Sequence, residues 1–467
     1  GVFTSVRPQR RYLYGRAGGQ LLGYLNEIGQ KELDDSRGRY HMGDLIGRRG
    51  IEQQYEDQLH GRDGQMLVTK FARGRPQIRT DAYGRPQLAS IVDEYGHELA
   101  VEPARQDPTP GKSVYLTLDI ELQRFCEDQL TGEEGAIAVL DAGSGAVLAL
   151  ASAPGYDPSV FVTWGTDAER RDMLTGKPNR MINRSFQEVY APGSTFKILL
   201  ALAALDESVI TPNTTFYCPG QFQLPQGGRA WHCWRRGGHG NVSVVDALAF
   251  SCDVFFYNVG LELGVDRIKT WTDRIGLGVR TGLDLPGEVE GLIPSSGWKE
   301  ALMKPSHPDE PWEWKWYPGE TVNLSIGQGS TAVTPLQAAV MMASVINGGY
   351  RVTPFINRDM PTRPSERLFS EASWAVVVEG LRKCVEKGPP APTGTGKEAK
   401  VEGFAVLGKT GSAQIVGLEQ HAQYENEEDI PKEIRDHAWF VSGVMDREPP
   451  IAMCILVEHG HHGSSVA

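Results

Sequence analysis

Hydrophobic positions recur with clear periods over most of the chain, but hardly at all over its first quarter. Residues 1–112 are rich in Arg, Gly, Gln and Asp and lack long apolar runs. Within them "GRRGIEQQYEDQLHGRDGQ" predicts one helix followed by a turn, and the rest predicts short strands of an elongated, non-catalytic domain. "DPTPGKS" (107–113), with two prolines and a glycine, reads as a linker. Beyond it "SVYLTLDIELQRFCEDQL" predicts a short strand, then a helix beginning near Asp119. "GAIAVLDAGSGAVLALAS" is two apolar strands around the turn "DAGSG", a hairpin. Helical runs follow: "FKILLALAALDESVI", "SVVDALAFSCDVFFYNVGLELG" and "VDRIKTWTDRIG". Towards the C-terminus "GFAVLGKTGSAQIVG", "HAWFVSGVM" and "IAMCILVEHG" read as three strands, the last two joined by "DREPP". The pattern predicts a first domain over 1–112 and a second over 113–467. The second is of α/β (α+β) type, with one central antiparallel sheet and a helical lobe.

Composition changes this picture little. A chain of 467 residues exceeds a single compact core, in keeping with two domains. A net charge of −12 argues against a nucleic-acid partner, because phosphate binding needs a basic face. The longest apolar run, "ILLALAAL", falls far short of the roughly 20 residues of a membrane span. No secretory leader is visible, so the sequence reads as a cytosolic protein or as one whose anchor lies outside these residues. Six cysteines in this length do not make a disulfide framework.

The candidate chemistry starts at "YAPGSTFKILLALAAL". Ser194 opens an all-round apolar, hence buried, helix, and a serine there can simply be a cap. Lys197, three residues on, shares its helix face and can reach the Ser194 hydroxyl. A desolvated amine can accept a hydroxyl proton, and the helix N-terminus offers N–H groups to an oxyanion. Further along come Ser251-Cys252-Asp253 and then Lys409-Thr410-Gly411-Ser412 on a predicted strand. There Thr410 and Ser412 share a face and, with the ammonium, suit a substrate carboxylate, while Gly411 permits close backbone approach. S-x-x-K, S-x-[ND] and K-T-G in that order form the serine acyl-enzyme set of penicillin-binding proteins and class A β-lactamases.

Longer strings carry a closer likeness. "GIEQQYEDQLHG", "AVLDAGSGAVLALASAPGYDPSVF", "NRSFQEVYAPGSTFK", "CWRRGGHG", "TVNLSIGQG" with "TPLQ", and "KTGSAQ" with "DHAWFVSGV" resemble class B penicillin-binding proteins of the elongation type over nearly the whole chain. Asp253, where most of the wider family carries Asn, is typical of that subgroup. The resemblance implies a transpeptidase domain above an N-terminal pedestal. It implies a D,D-transpeptidase that cross-links peptidoglycan stem peptides, is acylated by β-lactams and faces the periplasm from the inner membrane. Ser194 would be the nucleophile, Lys197 its base and Ser251 the route for the proton to the leaving group. Lys409 would tune Ser251, Thr410 and Ser412 would grip the carboxylate, and Asp253 would either face the cleft or hold its own loop. The implied partners are a membrane glycosyltransferase of the SEDS class, elongation scaffold proteins and the membrane itself. The family's anchor and its final helix lie outside these 467 residues.

Cys126, Cys384 and Cys454 sit in apolar elements and read as small buried hydrophobes. Cys218, Cys233 and Cys252 cluster with His232 and His239 inside 35 residues. Cys218, Cys233, His239 and Cys252 would close as a structural zinc site, with His232 as an alternative nitrogen. The spacing C-x14-C-x5-H-x12-C is not a standard finger, although relatives with Asp or Cys at the matching positions strengthen the zinc reading. A disulfide and free thiols stay open. His437 either faces the cleft or ends its strand at the surface. The tryptophans of "EPWEWKWYPGE" (310–320) either anchor their own loop or form a platform for a glycan or partner. Rival functions are a β-lactamase, for which no deacylating E-x-x-L-N loop is present, a β-lactam sensor, and a D,D-carboxypeptidase with water as acceptor.

Overall fold

The structure, a computed structural model, describes residues 10–62, 105–360, 366–386, 393–415 and 429–461, short strands between residues 65 and 99, and the single positions 424, 463 and 467. The chain divides into two units, residues 1–54 with 115–467, and residues 55–114. One limit of the smaller unit, at 114, falls near the boundary expected at 112, and residues 1–54 group by contacts with the larger unit. Partly buried hydrogen bonds tie the first segment to residues 115–467 within this unit. The Gln20 amide donates to Arg180 O (2.7 Å) and Ile182 O (3.0 Å), and the Gly18 N–H donates to Glu127 (2.8 Å). The helix expected in "GRRGIEQQYEDQLHG" breaks at Tyr55 into Gly50–Gln54 and Glu56–Leu59. The smaller unit contains the expected short strands, paired as Gln65–Met66 with Arg105–Gln106, Ile78–Thr80 with Pro86–Leu88, and Ile91–Val92 with Glu98–Leu99. Among the described residues no helix is long and apolar enough to cross a membrane.

The larger unit is built on five strands: β1 Gly135–Asp141, β2 Val147–Ala153, β3 Val406–Ala413, β4 His437–Val444 and β5 Ile451–Val457. They form one antiparallel sheet in the order β2-β1-β5-β4-β3, so the N-terminal hairpin and the C-terminal meander meet along β1 and β5. The short strand expected at "SVYLTL" is only an isolated bridge, Leu116 to Asn357. Thr117 gives its N–H to Ile356 O and its hydroxyl to Val147 O, so this segment is tied beside the β2 edge rather than added as a sixth strand.

β1 is buried along almost its whole length, as the apolar run demands of a strand covered on both faces. Helix α1 (Ile120–Gln129) is capped by Asp119, which accepts from the N–H groups of Glu121 and Leu122. It is pinned to β2 by Gln123, whose amide exchanges two bonds with the backbone of Leu150. The lobe includes α2 (Lys197–Asp206), α3 (Val244–Ala249), α4 (Asp253–Leu263), α5 (Pro335–Ile346) and α6 (Glu371–Cys384). Every residue of α5 is buried, which explains why its sequence shows no polar face, and it packs on β1, β4 and β5.

At the end of β5 a buried ionic group joins the sheet to the segment that precedes Ser194. Arg184, with a side chain 5% exposed, donates to Glu458 (2.6 Å) and Glu134 (3.0 Å), and the Tyr190 hydroxyl donates to Glu458 (2.7 Å). Burial alone would push the Glu458 carboxyl up. The Tyr190 hydroxyl and the Arg184 guanidinium outweigh it and hold the carboxyl below its usual range. Removing one partner leaves an uncompensated buried charge. Arg184→Met is expected to lower unfolding free energy by about 3 kcal/mol in urea titrations, with part of the loss recovered in Arg184→Met/Glu458→Gln.

Candidate active site

Ser194 lies in a short 3-10 turn, Gly193–Phe196, and α2 begins only at Lys197. The tighter turn has about three residues per turn, so Ser194 and Lys197 stack one above the other, as the i, i+3 spacing demands. Gly193 has φ +54°, and a Cβ there would sit 2.5 Å from Ser412 O. No other residue lets the turn approach β3 so closely. The Gly193 N–H donates to Gly327 O (3.1 Å), which holds the turn from the other side.

Lys197 is fully buried. Its Nζ donates to Asp253 Oδ1 (2.6 Å), Ser251 O (3.0 Å) and Ser251 Oγ (3.2 Å). The Ser194 hydroxyl is half-buried and makes no hydrogen bond among the described residues. The structure thus ties Lys197 to Ser251 and Asp253, with Ser194 one turn away and free to meet a ligand.

Ser251 and Cys252 form the connection between α3 and α4. Ser251 takes φ +54°, uncommon for a residue with a Cβ, and costs on the order of 1 kcal/mol of backbone strain. The strain aims the Ser251 carbonyl and hydroxyl at the same ammonium. Asp253 opens α4, is 7% exposed and accepts the Trp234 N–H on Oδ2 (2.9 Å). Burial pushes its carboxyl up, against the pull of Lys197.

On β3, Lys409 is buried and its Nζ donates to Thr410 O (3.0 Å). Burial pushes it down to about 8. Lys409 makes no bond to Ser251 among the described residues, so any influence on Ser251 acts through space. A Cβ at Gly411 would lie 3.0 Å from Thr195 Cγ2 and 3.2 Å from Pro192 O, so the glycine admits the nucleophile turn against the strand. Ser412 is half-buried, and its carbonyl accepts from Gln328 (3.3 Å).

Two participants were not singled out from sequence. Thr395 accepts the Thr410 hydroxyl (2.8 Å) and donates its N–H to Ala249 O, linking β3 to the end of α3. Trp234 bonds Asp253 through its backbone. Only its place beside Cys233 could have pointed to it, and Thr395 carries no signal beyond its flanking glycines.

The ligand atoms of Cys218, Cys233, His239 and Cys252 all lie within 4.8 Å of one another. His239 Nδ1 is 3.7 Å from the Cys218 sulfur and 3.5 Å from the Cys233 sulfur. Two small ladders make this convergence: Thr215–Cys218 with Gly240–Ser243, and Gln221–Gln223 with Ala230–His232. His232 is exposed and outside the cluster, so the alternative nitrogen ligand is not brought together with the thiols. The Cys252 thiol and the His239 ring hold Cys233 well below the usual thiol range, while burial pushes Cys218 up. Three soft donors and one imidazole nitrogen converging in a buried spot fit a closed tetrahedral zinc site. Cys126, Cys384 and Cys454 are buried and apart from this cluster, as expected of small core hydrophobes.

A family model described as the penicillin-binding protein transpeptidase domain matches residues 135–467, and one for the penicillin-binding protein dimerisation domain matches residues 1–88. This chain belongs to the penicillin-binding protein transpeptidases. The peptidoglycan D,D-transpeptidase MrdA of Acinetobacter baumannii is 32% identical over 479 residues, covering 100% of this chain and 66% of its own length. MrdA of Escherichia coli K12 is also 32% identical, covering 100% of this chain and 70% of its own length. The chain thus spans about two thirds of the length of such relatives. Among solved structures, Pseudomonas aeruginosa PBP2 in complex with WCK 5153 superposes with a TM-score of 0.78 at 31% identity, covering 98% of this chain and 87% of that one. The Helicobacter pylori PBP2 complex with MreC gives 0.78 at 26% identity, covering 97% and 76%. The fold expected from the motifs is the fold observed.

Two aromatic expectations in this penicillin-binding protein resolve geometrically. Trp316 donates to the Thr321 hydroxyl (2.8 Å) and Trp314 lies under the Lys304 ammonium, so both anchor their own loop, while Trp312 is exposed. His437 stands edge-on to Tyr190 (5.3 Å) and His459 (5.1 Å), and its Nδ1 accepts the His459 N–H (3.1 Å). Burial pushes it down to about 4. The folded chain therefore keeps His437 neutral at pH values where the unfolded chain, near 6.5, protonates it. Its contribution to stability is complete above pH 6.5 and is lost as pH falls from 6.5 towards 4. Denaturant titrations should show His437→Asn cutting that acid sensitivity by on the order of 1 kcal/mol at pH 5.

Proposed function

We propose that this chain cross-links peptidoglycan by serine acyl transfer as a D,D-transpeptidase of the elongation machinery. The observation that carries the reading is the buried Lys197 ammonium, bonded to Ser251 and Asp253 and stacked one turn beyond Ser194. Ser194 Oγ attacks the carbonyl of the penultimate D-alanine of a donor stem peptide, and its proton passes to Lys197. Asp253, bonded to Lys197 Nζ at 2.6 Å, fixes the amine beside Ser251 and one turn from Ser194 for that transfer. The N–H groups of Ser194 and Ser412 receive the oxyanion, worth roughly 3 kcal/mol for one donor in comparable sites. The Lys197–Ser251 contact supplies the path by which the proton reaches the departing D-alanine amine. Lys409 adds positive charge near the bound carboxylate, which Thr410 and Ser412 hold. An amine from a second stem peptide then attacks the ester and frees Ser194. β-Lactams take the donor's place and stall, since their leaving group stays tethered.

Cys218, Cys233, His239 and Cys252 would hold one zinc ion, which supplies structural cross-linking and no chemistry of acyl transfer. Cys252 precedes Asp253, and Cys233 precedes Trp234, whose N–H bonds Asp253. A metal there secures the carboxylate from both sides. The Helicobacter complex with MreC, and a solved peptidoglycan synthase complex that coordinates polymerization and crosslinking, support partners of the same kinds for this chain. These are an elongation scaffold and a membrane glycosyltransferase, met at the periplasmic face of the inner membrane.

Ser194→Ala should abolish covalent labelling by a fluorescent penicillin; labelling that persists would move the nucleophile elsewhere. Incubation with a donor stem peptide and a D-amino acid should yield the exchanged peptide, whereas release of D-alanine alone would make the enzyme a carboxypeptidase. Elemental analysis of protein never exposed to chelator should find one zinc per chain. Cys252→Ser should lower acylation rate and melting temperature together, and unchanged values of both would return Cys252 to the core.

A further inference from the structure

Between Glu207 and Asp246 the chain carries no acidic residue, in a protein with 59 of them and a net charge of −12. The same stretch holds three exposed arginines, Arg229, Arg235 and Arg236. Arg235 and Arg236 make no ion pair and no side-chain hydrogen bond among the described residues. Beside them Trp234 is 58% exposed, although it is fastened at two points. Its backbone N–H donates to Asp253 Oδ2 (2.9 Å), and its indole N–H donates to Phe250 O (2.9 Å), the residue before Ser251. The ring also lies 5.5 Å from that of His239. An aromatic plane is thus locked onto the turn that carries Ser251 and Asp253, yet most of it faces outward, where it fills no core.

We propose that Trp234, Arg235 and Arg236 form a substrate subsite that receives a free carboxylate on the peptide lying against the Ser251–Asp253 turn. The inference rests on the transpeptidase reading. The locked indole offers an apolar platform to the peptide at little entropic cost, because it is ordered before substrate arrives. The guanidinium groups next along the chain offer fork-shaped donors that match a carboxylate. A chain this acidic repels anionic peptides on average, so exposed arginines without an ion-pair partner among the described residues, on a stretch of sequence with no acidic residue, are the feature that lets one dock. Lysines would supply charge without the planar fork, and that distinction points to carboxylate recognition rather than to general attraction.

The test uses two donor peptides that differ at one internal position, free carboxylate or carboxamide, with the same D-Ala-D-Ala end. The wild-type chain should acylate with the carboxylate peptide about fivefold more efficiently, through KM, the size expected of one partly exposed charge pair. Arg235→Gln/Arg236→Gln should bring that ratio close to one by raising KM for the carboxylate peptide, and high salt should act on the wild type in the same direction. Trp234→Ala should raise KM for both peptides, and Trp234→Phe should restore most of the loss. A wild-type chain indifferent to the carboxylate, or a preference that survives in the double variant, overturns the subsite. The single variants answer the same question if the double variant does not fold. A wild-type chain that no fluorescent penicillin labels would instead overturn the transpeptidase reading, so the two failures stay distinct.

Discussion

The buried ion pair between Lys197 and Asp253 is the interaction on which the rest of the site depends. A lysine with no exposed surface carries a desolvation cost of several kcal/mol, and only a partner at hydrogen-bond distance, with further bonds to its remaining protons, offsets it. Asp253 supplies the charge and Ser251 the remaining acceptors. That requirement explains why Ser251 holds a left-handed conformation that otherwise costs energy: no relaxed turn would aim both of its oxygens at the ammonium. It also explains why Asp253 stands at the first residue of α4. The start of a helix is where a carboxylate is favoured by the unpaired backbone N–H groups around it.

The pair in turn needs rigid surroundings. Asp253 Oδ2 is held by the Trp234 N–H, and both residues directly follow cysteines of the four-residue cluster. Breaking the cluster would loosen both ends of that hydrogen bond at once. From the opposite side, Gly193 and Gly411 bring the nucleophile turn and β3 so close that a methyl group at Gly193 would strike the carbonyl of Ser412. The cleft is therefore assembled from one face by backbone contact and from the other by side-chain clustering. The buried Arg184–Glu458–Tyr190 group ties the sheet to the segment leading into Ser194.

Much of this was legible in the chain. The hairpin of β1 and β2 and the meander of β3 to β5 stand out because apolar runs bounded by turn residues leave few alternatives. Ser194, Lys197, Ser251 and the Lys409-Thr410-Gly411-Ser412 strand were found as ordered motifs. The cysteines of the cluster stood out in the sequence as well, but only the two small ladders bring His239 to them and leave His232 exposed outside. "SVYLTL" looked like a strand because its alternation is that of one, yet its backbone groups meet Ile356 and Arg358 in an isolated bridge. That residues 1–54 group by contacts with residues 115–467 was not legible, because polar, low-periodicity sequence carries no mark of which surface it will cover.

The sequence by itself determined the reaction class and the motif residues of the site, because motif chemistry is written in residue types and short spacings. Tertiary structure alone decided who bonds whom. Lys197 turned to Asp253 and Ser251, Lys409 to the Thr410 carbonyl, Thr395 to Thr410, and Trp234 to Asp253. Each of these bonds except that of Lys409 joins residues from different elements. Their strength comes from burial, a property no position has until the chain has closed around it.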